Sequence, residues 1–463
     1  MVEKAKFLHG PLMGHVAVMS FTASLGLMAV FLVDFADMLF ISMLGNAALA
    51  AAIGYAGAIL FFTTSISIAF AIATAALSAR AIGQGDNDRA RHVASHAITF
   101  GIGIAIVIAS VVWLNLHSLV ALIGAQGEVA DLAVGYLRII VPSLPVIVIA
   151  MSAGAFLRAH GAARAAMWST IGGAVVNAVL DPILIFGFDM ELQGAAIASV
   201  ISRMAMAWFA LRPIWRDYGG LPLPRISELV ADIRPVAALA IPAMMTNVAT
   251  PVGQAWVTRS MAQFGEDAVA GMAIISRIAP VAFAVIFALS GAIGPIIGQN
   301  AGANQPERVR RAFTDGLLFV VGYIVVAATL LYLLRAPIAG VFEAQGITRS
   351  LIYLFCGPIA LLWGFNGAIF VGNAVFNNLG HPLWSACVNW GRNTLGTIPF
   401  VALGAMWYGA SGVLIGQAVG GVVFGILSIW LGYRLTSHQL PPLGDRTLPP
   451  MQIRLMQLMG RNR

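Results

Sequence analysis

Long apolar runs, separated by loops that hold most of the charge, extend from Leu12 to Arg434. They divide into twelve segments, at residues 12–43, 47–78, 95–122, 132–157, 163–188, 193–213, 236–263, 268–298, 312–335, 350–377, 383–407 and 410–434. A helix needs about 20 mostly apolar residues to cross the hydrocarbon of a bilayer, so each run is read as one transmembrane helix. The expected fold is an all-α membrane protein of twelve spans, with little chain left for any domain outside the lipid.

The loops alternate in character. One set holds Arg80, Arg89 and Arg91, then Arg158 and Arg164, then Arg212 to Arg234, then Arg308, Arg310 and Arg311. The other set is acidic or uncharged, with Glu128 and Asp131, Asp189 and Glu191, and Glu266 and Asp267; in it only the loop from Arg335 to Arg349 is appreciably basic. The positive-inside rule places the first set and both termini in the cytoplasm, in a plasma (cell inner) membrane. The longest loop, Arg212 to Arg234, contains Pro213, Pro222, Pro224, Gly219 and Gly220 and reads as a linker.

A shift of 219 residues lays Gly83, Asp88, Arg89 and Arg91 over Gly302, Glu307, Arg308 and Arg310, and Gly161 over Gly380. The chain therefore reads as a duplication. Residues 1–211 form an N-terminal six-helix lobe, 212–235 a cytoplasmic linker, 236–434 a C-terminal six-helix lobe and 435–463 a cytoplasmic tail. Six is even, so the lobes share one orientation and are related by a pseudo-two-fold axis along the membrane normal, with a substrate cavity expected between them. The segments Gly83–Arg91 and Gly302–Arg310 read as glycine-ended helices followed by capped, anchored elbows.

Composition agrees with this picture: 59% of the 463 residues are hydrophobic, 10% are charged, and the mean hydropathy is +0.88. A soluble globular protein is typically about 25% charged. The net charge of +7 does not point to nucleic acid, because the basic residues line the spans instead of forming one patch. Cys356 and Cys387 lie in apolar runs and suggest neither a disulfide nor a metal site. The first run could mimic a signal peptide, but Asp34 and Asp37 interrupt it, so it is read as a retained first helix. No His-Glu-x-x-His, Gly-x-Ser-x-Gly or phosphate-loop motif argues for an enzyme.

Asp34, Asp37 and Asp181 sit inside expected spans, where a charge costs about 2.5–3.5 kcal/mol even on the insertion scale. Such residues usually face a cavity and mark an ion or proton path; the alternative is a carboxylate snorkelling from a helix end. Asp34 and Asp37 are three apart, and Asn177 and Asp181 four apart, so each pair shares a helix face. Ser199, on the next helix, adds a hydroxyl. Asp37, Asn177, Asp181 and Ser199 together offer oxygen ligands for sodium or a shared proton site, with Asp34 as a possible secondary member. Three arginines, Arg203, Arg277 and Arg392, also fall within spans and are read as holding the bundle through backbone carbonyls. Met28, Met151, Met244, Met245 and Phe287 are candidates for an adaptable apolar cavity lining.

From Pro11 to Arg434 the chain resembles the multidrug and toxic compound extrusion (MATE) transporters. The resemblance rests on Ala36-Asp-Met-Leu-Phe-Ile-Ser-Met-Leu-Gly45, on Asn177-Ala-Val-Leu-Asp-Pro-Ile-Leu-Ile185 and on Gly298-Gln-Asn-Ala-Gly-Ala303. It implies a cation site in the N-terminal lobe at Asp37, Asn177, Asp181 and Ser199, as in DinF-type and archaeal members. Departures are Ser at 199 for Thr, Arg80 where Gln is common, and no proline between Met13 and Val141, which leaves Gly26 as the weak point of the first helix. Where NorM-type members carry acids in helices 7 and 10, this chain has Thr246, Asn247, Thr250, Asn366, Asn373 and Asn377. Asn366 and Asn373 join the candidate cavity residues.

The expected function is export of amphiphilic, often cationic, drugs or metabolites in exchange for protons or sodium, by alternating access. A lipid-linked oligosaccharide flippase of the same superfamily is the alternative. No cofactor is expected, no metal beyond a possible Na+ at Asp37, Asn177 and Asp181, and no partner besides small-molecule substrates and membrane lipids, with the chain a monomer.

Overall fold

A computed structural model describes residues 5–437, whose regular structure is entirely helical. The tail read at 435–463 lies outside the described residues from 438 onward. The first seven spans are α1 (Leu12–Met43), α2 (Ala47–Gly83), α3 (Asn87–Leu114), α4 (Gly127–Ala159), α5 (Ala163–Gly187), α6 (Glu191–Asp217) and α7 (Ile226–Ala262). α8 is broken at Phe283 into Glu266–Ala282 and Ala284–Gly302. α9 is Pro306–Val341, and α10 comprises Gly346–Leu362 and Gly364–Asn378, bent by 42°.

The last helical stretch, Pro382–Ser437, holds 56 residues. At 1.5 Å per residue that is about 84 Å, far beyond a hydrocarbon core of about 30 Å. Gly409, at φ 58° and ψ −139°, reverses the chain there, a conformation that suits glycine. α11 is therefore residues 382–408 and α12 residues 410–437. The two pack backbone to backbone: a Cβ on Gly412 would lie 1.8 Å from the Gly404 carbonyl oxygen, and one on Gly420 1.6 Å from that of Gly396. All twelve expected spans are present.

Helix ends depart from the apolar runs where polar turns cap them. α3 begins eight residues before the run, because Asp86 accepts a hydrogen bond from Arg89 N at 2.8 Å and starts the helix in the loop. α6 continues through Pro213 to Asp217 and α7 begins at Ile226, so the irregular part of the linker is only 218–225. The run expected at 95–122 ends at Leu114, and a separate short helix, Leu116–Leu122, follows Asn115. α1 is a single unbroken helix of 32 residues. Gly26 does not bend it; its bare face lies against Thr170 of α5.

Each half has its own apolar core, and each lends its first helix to the other. Leu12, Val16 and Met19 of α1 belong to the core of the second half, while Val236, Leu239 and Ala240 of α7 belong to that of the first.

At the face carrying the linker and most arginines, called the basic face below, α2 and α8 meet almost without side chains between them. A Cβ on Gly83 would stand 2.0 Å from the Gln299 carbonyl oxygen, and one on Gly302 2.1 Å from that of Arg80. Both pairs obey the 219-residue shift. So do the hydrogen bonds beside them: Gln299 Nε2 donates to Ala159 O at 2.7 Å and Arg80 Nη2 to Asn378 O at 2.9 Å. Arg80, unusual as a sequence feature, thus performs the task of Gln299 with a longer arm. Phe7, only 1% exposed, fills the seam. Its N–H donates to Gln299 Oε1 at 2.9 Å, and its carbonyl accepts from Asn300 at 3.2 Å and Arg308 at 2.9 Å. The two halves are sealed together at this face.

Candidate functional site

Asp37 occupies the later turns of α1, and Asn177 and Asp181 occupy one face of α5. The amide of Asn177 joins them, with Nδ2 donating to Asp181 Oδ2 at 2.6 Å and to Asp37 Oδ1 at 3.1 Å. One amide nitrogen thus holds both carboxyl groups. Asp181 is fully buried and Asn177 nearly so, while Asp37 is half-buried. Oδ1 of Asp181 is buried with no protein partner. Two carboxyl groups held this closely need something positive between them, either one shared proton or a cation.

The local chain explains why Asp181 can point inward here. Pro182 has no N–H and breaks the regular ladder, and the next five residues, Ile183–Gly187, widen into a π-turn. Gly194 of α6 then packs on the Leu184 backbone, where a Cβ would stand 2.8 Å from its carbonyl carbon.

Ser199 reaches the set at one remove. It lies beside Tyr136, a buried residue of α4 whose charged neighbours are Arg203, Asp37 and Asp181. Arg203 is held in turn by Ser143 Oγ at 2.7 Å, in the 3-10 turn Val141–Ser143 that interrupts α4. Tyr136 was not among the sequence candidates, since a tyrosine in an apolar run reads as ordinary packing. Tyr136→Phe is expected to slow transport several-fold without abolishing it, because it removes a buried hydroxyl beside the acids and not an acid; transport kinetics in proteoliposomes would show this. Asp34 stands one turn before Asp37 on an exposed face of α1.

The cavity candidates fall in several places. Met244 packs on the first-half core, and Met28 and Met151 are half-buried. Met245 is exposed, its carbonyl accepting from Trp390 Nε1 at 2.9 Å. Phe287 joins an aromatic cluster with Trp363 and Phe370, at centroid distances of 5.5 and 5.7 Å. Asn366 accepts from Arg392. Asn373 is buried and accepts from Asn389 at 3.1 Å, and Asn377 accepts from Ser385 at 3.0 Å, so both tie α10 to α11.

The second half carries no copy of the acidic set. Under the shift, Asp181 falls on Phe400, Asn177 on Gly396 and Asp37 near Val257. The first two belong to the glycine-packed seam of α11 and α12, where Gly416 abuts the Phe400 backbone and Gly420 that of Gly396.

The sequence pattern of the MatE family matches residues 23–183 and again residues 242–403. The chain belongs to the MatE family. The matched stretches start 219 residues apart, the shift that superimposes the elbows and the seal. This MatE protein is 27% identical over 446 residues to the FAD transporter of Shewanella oneidensis, an alignment covering 94% of this chain and 97% of that one. It is 24% identical over 307 residues to the multidrug export protein MepA of Staphylococcus aureus, covering 65% and 68%. A solved MATE transporter from Vibrio cholerae superposes with a TM-score of 0.86 at 25% identity, covering 93% of this chain and 98% of that one. Membership in the MatE family makes the protein an integral membrane transporter of small molecules and not an enzyme.

Proposed function

We propose that this MatE transporter is a proton- or sodium-coupled antiporter that exports amphiphilic small molecules, driven by ion binding at Asp37 and Asp181. The bridge from Asn177 to both carboxyl groups carries the reading, because it binds α1 to α5 through groups that need a cation between them. α1 connects this set to the seal, since its first turns lie in the core of the second half. An ion that changes how Asp37 meets α5 therefore biases a helix shared by both lobes, and substrate and ion act reciprocally on one two-state equilibrium. The sealed basic face corresponds to the state that releases substrate on the opposite side.

Proteoliposomes loaded with a cationic dye or with FAD separate the possibilities. A proton gradient alone or a sodium gradient alone should drive counterflow. Drive by neither gradient would overturn the antiport reading, and selective movement of FAD would assign a flavin nucleotide as cargo.

The basic face is the cytoplasmic one on this reading. Single cysteines at Gly219 and Asp189, with Cys356 and Cys387 replaced, should react with an impermeant thiol reagent from opposite sides of the membrane. Labelling of both in intact cells would reverse or break the topology.

A further inference from the structure

Where α3 meets the first turns of α7, two histidines face two carboxylates. His92 and His96 lie one turn apart on α3, and Glu228 and Asp232 one turn apart on α7. His92 Nδ1 is 3.3 Å from Glu228 Oε2, and His96 Nδ1 is 2.6 Å from Asp232 Oδ2. One nitrogen of each ring and one Glu228 oxygen fall within 4.8 Å of one another. Arg89 grips both oxygens of Asp232.

We infer that His92, His96 and Glu228 form a binding site for a divalent transition-metal ion of the zinc class, with Asp232 as its positioning carboxylate. His96 supplies the decisive detail. Its side chain is fully buried, and its Nε2 has no partner. Because the Asp232 carboxylate facing Nδ1 accepts, Nδ1 is the nitrogen that donates, and Nε2 is the one left to meet a metal ion. A carboxylate that fixes the tautomer of a ligating histidine is the usual outer support of a zinc site.

The donor set selects the metal class. Two imidazoles and one carboxylate suit zinc or its neighbours, whereas magnesium and calcium favour all-oxygen ligands. Bonds of about 2.0–2.2 Å around a tetrahedral ion set donor atoms roughly 3.4 Å apart, so a spread within 4.8 Å must contract by up to about 1.4 Å. His92 and Glu228 can supply that movement, because their side chains are 36% and 38% exposed. A bound ion would staple α3, in the first half, to α7, which opens the second, and so favour the state in which these helices are joined. The inference does not depend on which ion drives transport.

The test uses the full chain with any affinity tag removed, stripped with chelator, desalted and titrated with Zn2+ by calorimetry and with Co2+ by absorbance. One saturable equivalent is expected, with the intense visible bands of tetrahedral cobalt. His92→Ala and Glu228→Gln should each weaken zinc binding at least tenfold and remove those bands, while Asp181→Asn leaves both unchanged. Zinc should raise the unfolding midpoint of the wild type and not of the two variants, whose metal-free midpoints should equal that of the wild type. If either substitution lowers its own metal-free midpoint, His92→Gln or Glu228→Ala takes its place. No saturable binding in the wild type, or undiminished binding in the variants, would overturn the proposal.

Discussion

Asp37→Asn and Asp181→Asn are each expected to abolish gradient-driven transport while leaving the protein folded and inserted. The amide keeps the volume of the carboxyl group and can still meet Asn177, so the α1–α5 contact at 3.1 Å and the intrahelical contact at 2.6 Å need not be lost. It neither exchanges a proton nor offers sodium a negative charge. Ion binding would then no longer distinguish the two conformations, and a ligand without differential affinity shifts no equilibrium. Accumulation against a gradient should disappear in proteoliposomes, while downhill substrate exchange continues. Asp34→Asn should be much milder, since Asp34 lies outside the hydrogen-bonded set. Undiminished accumulation by either principal variant would remove the site assignment, and an equal loss from Asp34→Asn would show that the wrong carboxylate of α1 had been chosen.

Gly83→Ala and Gly302→Ala should open the seal at the basic face. Each new methyl group would lie 2.0 or 2.1 Å from a backbone oxygen of the other half, and neither oxygen belongs to a side chain that can swing aside. Overpacking of a dense core costs about 1–3 kcal/mol, and that range moves a two-state ratio by roughly 5- to 150-fold. Spin labels at Gln84 and Glu307 should report longer and broader distances in both variants than in the wild type. Gly322→Ala, with nothing within 4 Å of its added carbon, should leave the distances unchanged. A short, narrow distribution in the Gly83 and Gly302 variants would mean that the helices absorb the clash without parting.

The twelve spans were legible because lipid imposes a length on every apolar run, and the duplication because its elbows repeat in charge and glycine. Helix starts were less legible: Asp86 and Pro306 begin α3 and α9 in polar loops that a hydropathy reading leaves out. The break at Phe283 carries no comparable mark. Within the site, Asp37, Asn177 and Asp181 stood out because charge is costly in lipid, and the structure brings all three together. Tyr136 did not stand out, as its hydroxyl acquires a role only when α4 and α6 are packed. The seal was equally hidden, since Phe7 and Gln299 are 292 positions apart and neither is exceptional alone.

On the proposed proton coupling, the glycine-packed seam of α11 and α12, in place of a second acidic set, limits how steep a gradient export can sustain. One elementary charge crossing 100 mV releases about 2.3 kcal/mol. Each 1.4 kcal/mol supports a tenfold concentration ratio, so one proton exchanged for a neutral substrate holds roughly a fifty-fold gradient, and two hold roughly 2,500-fold. A lone carboxyl pair can release no more than two protons per cycle, and an acidic second half would square that ceiling.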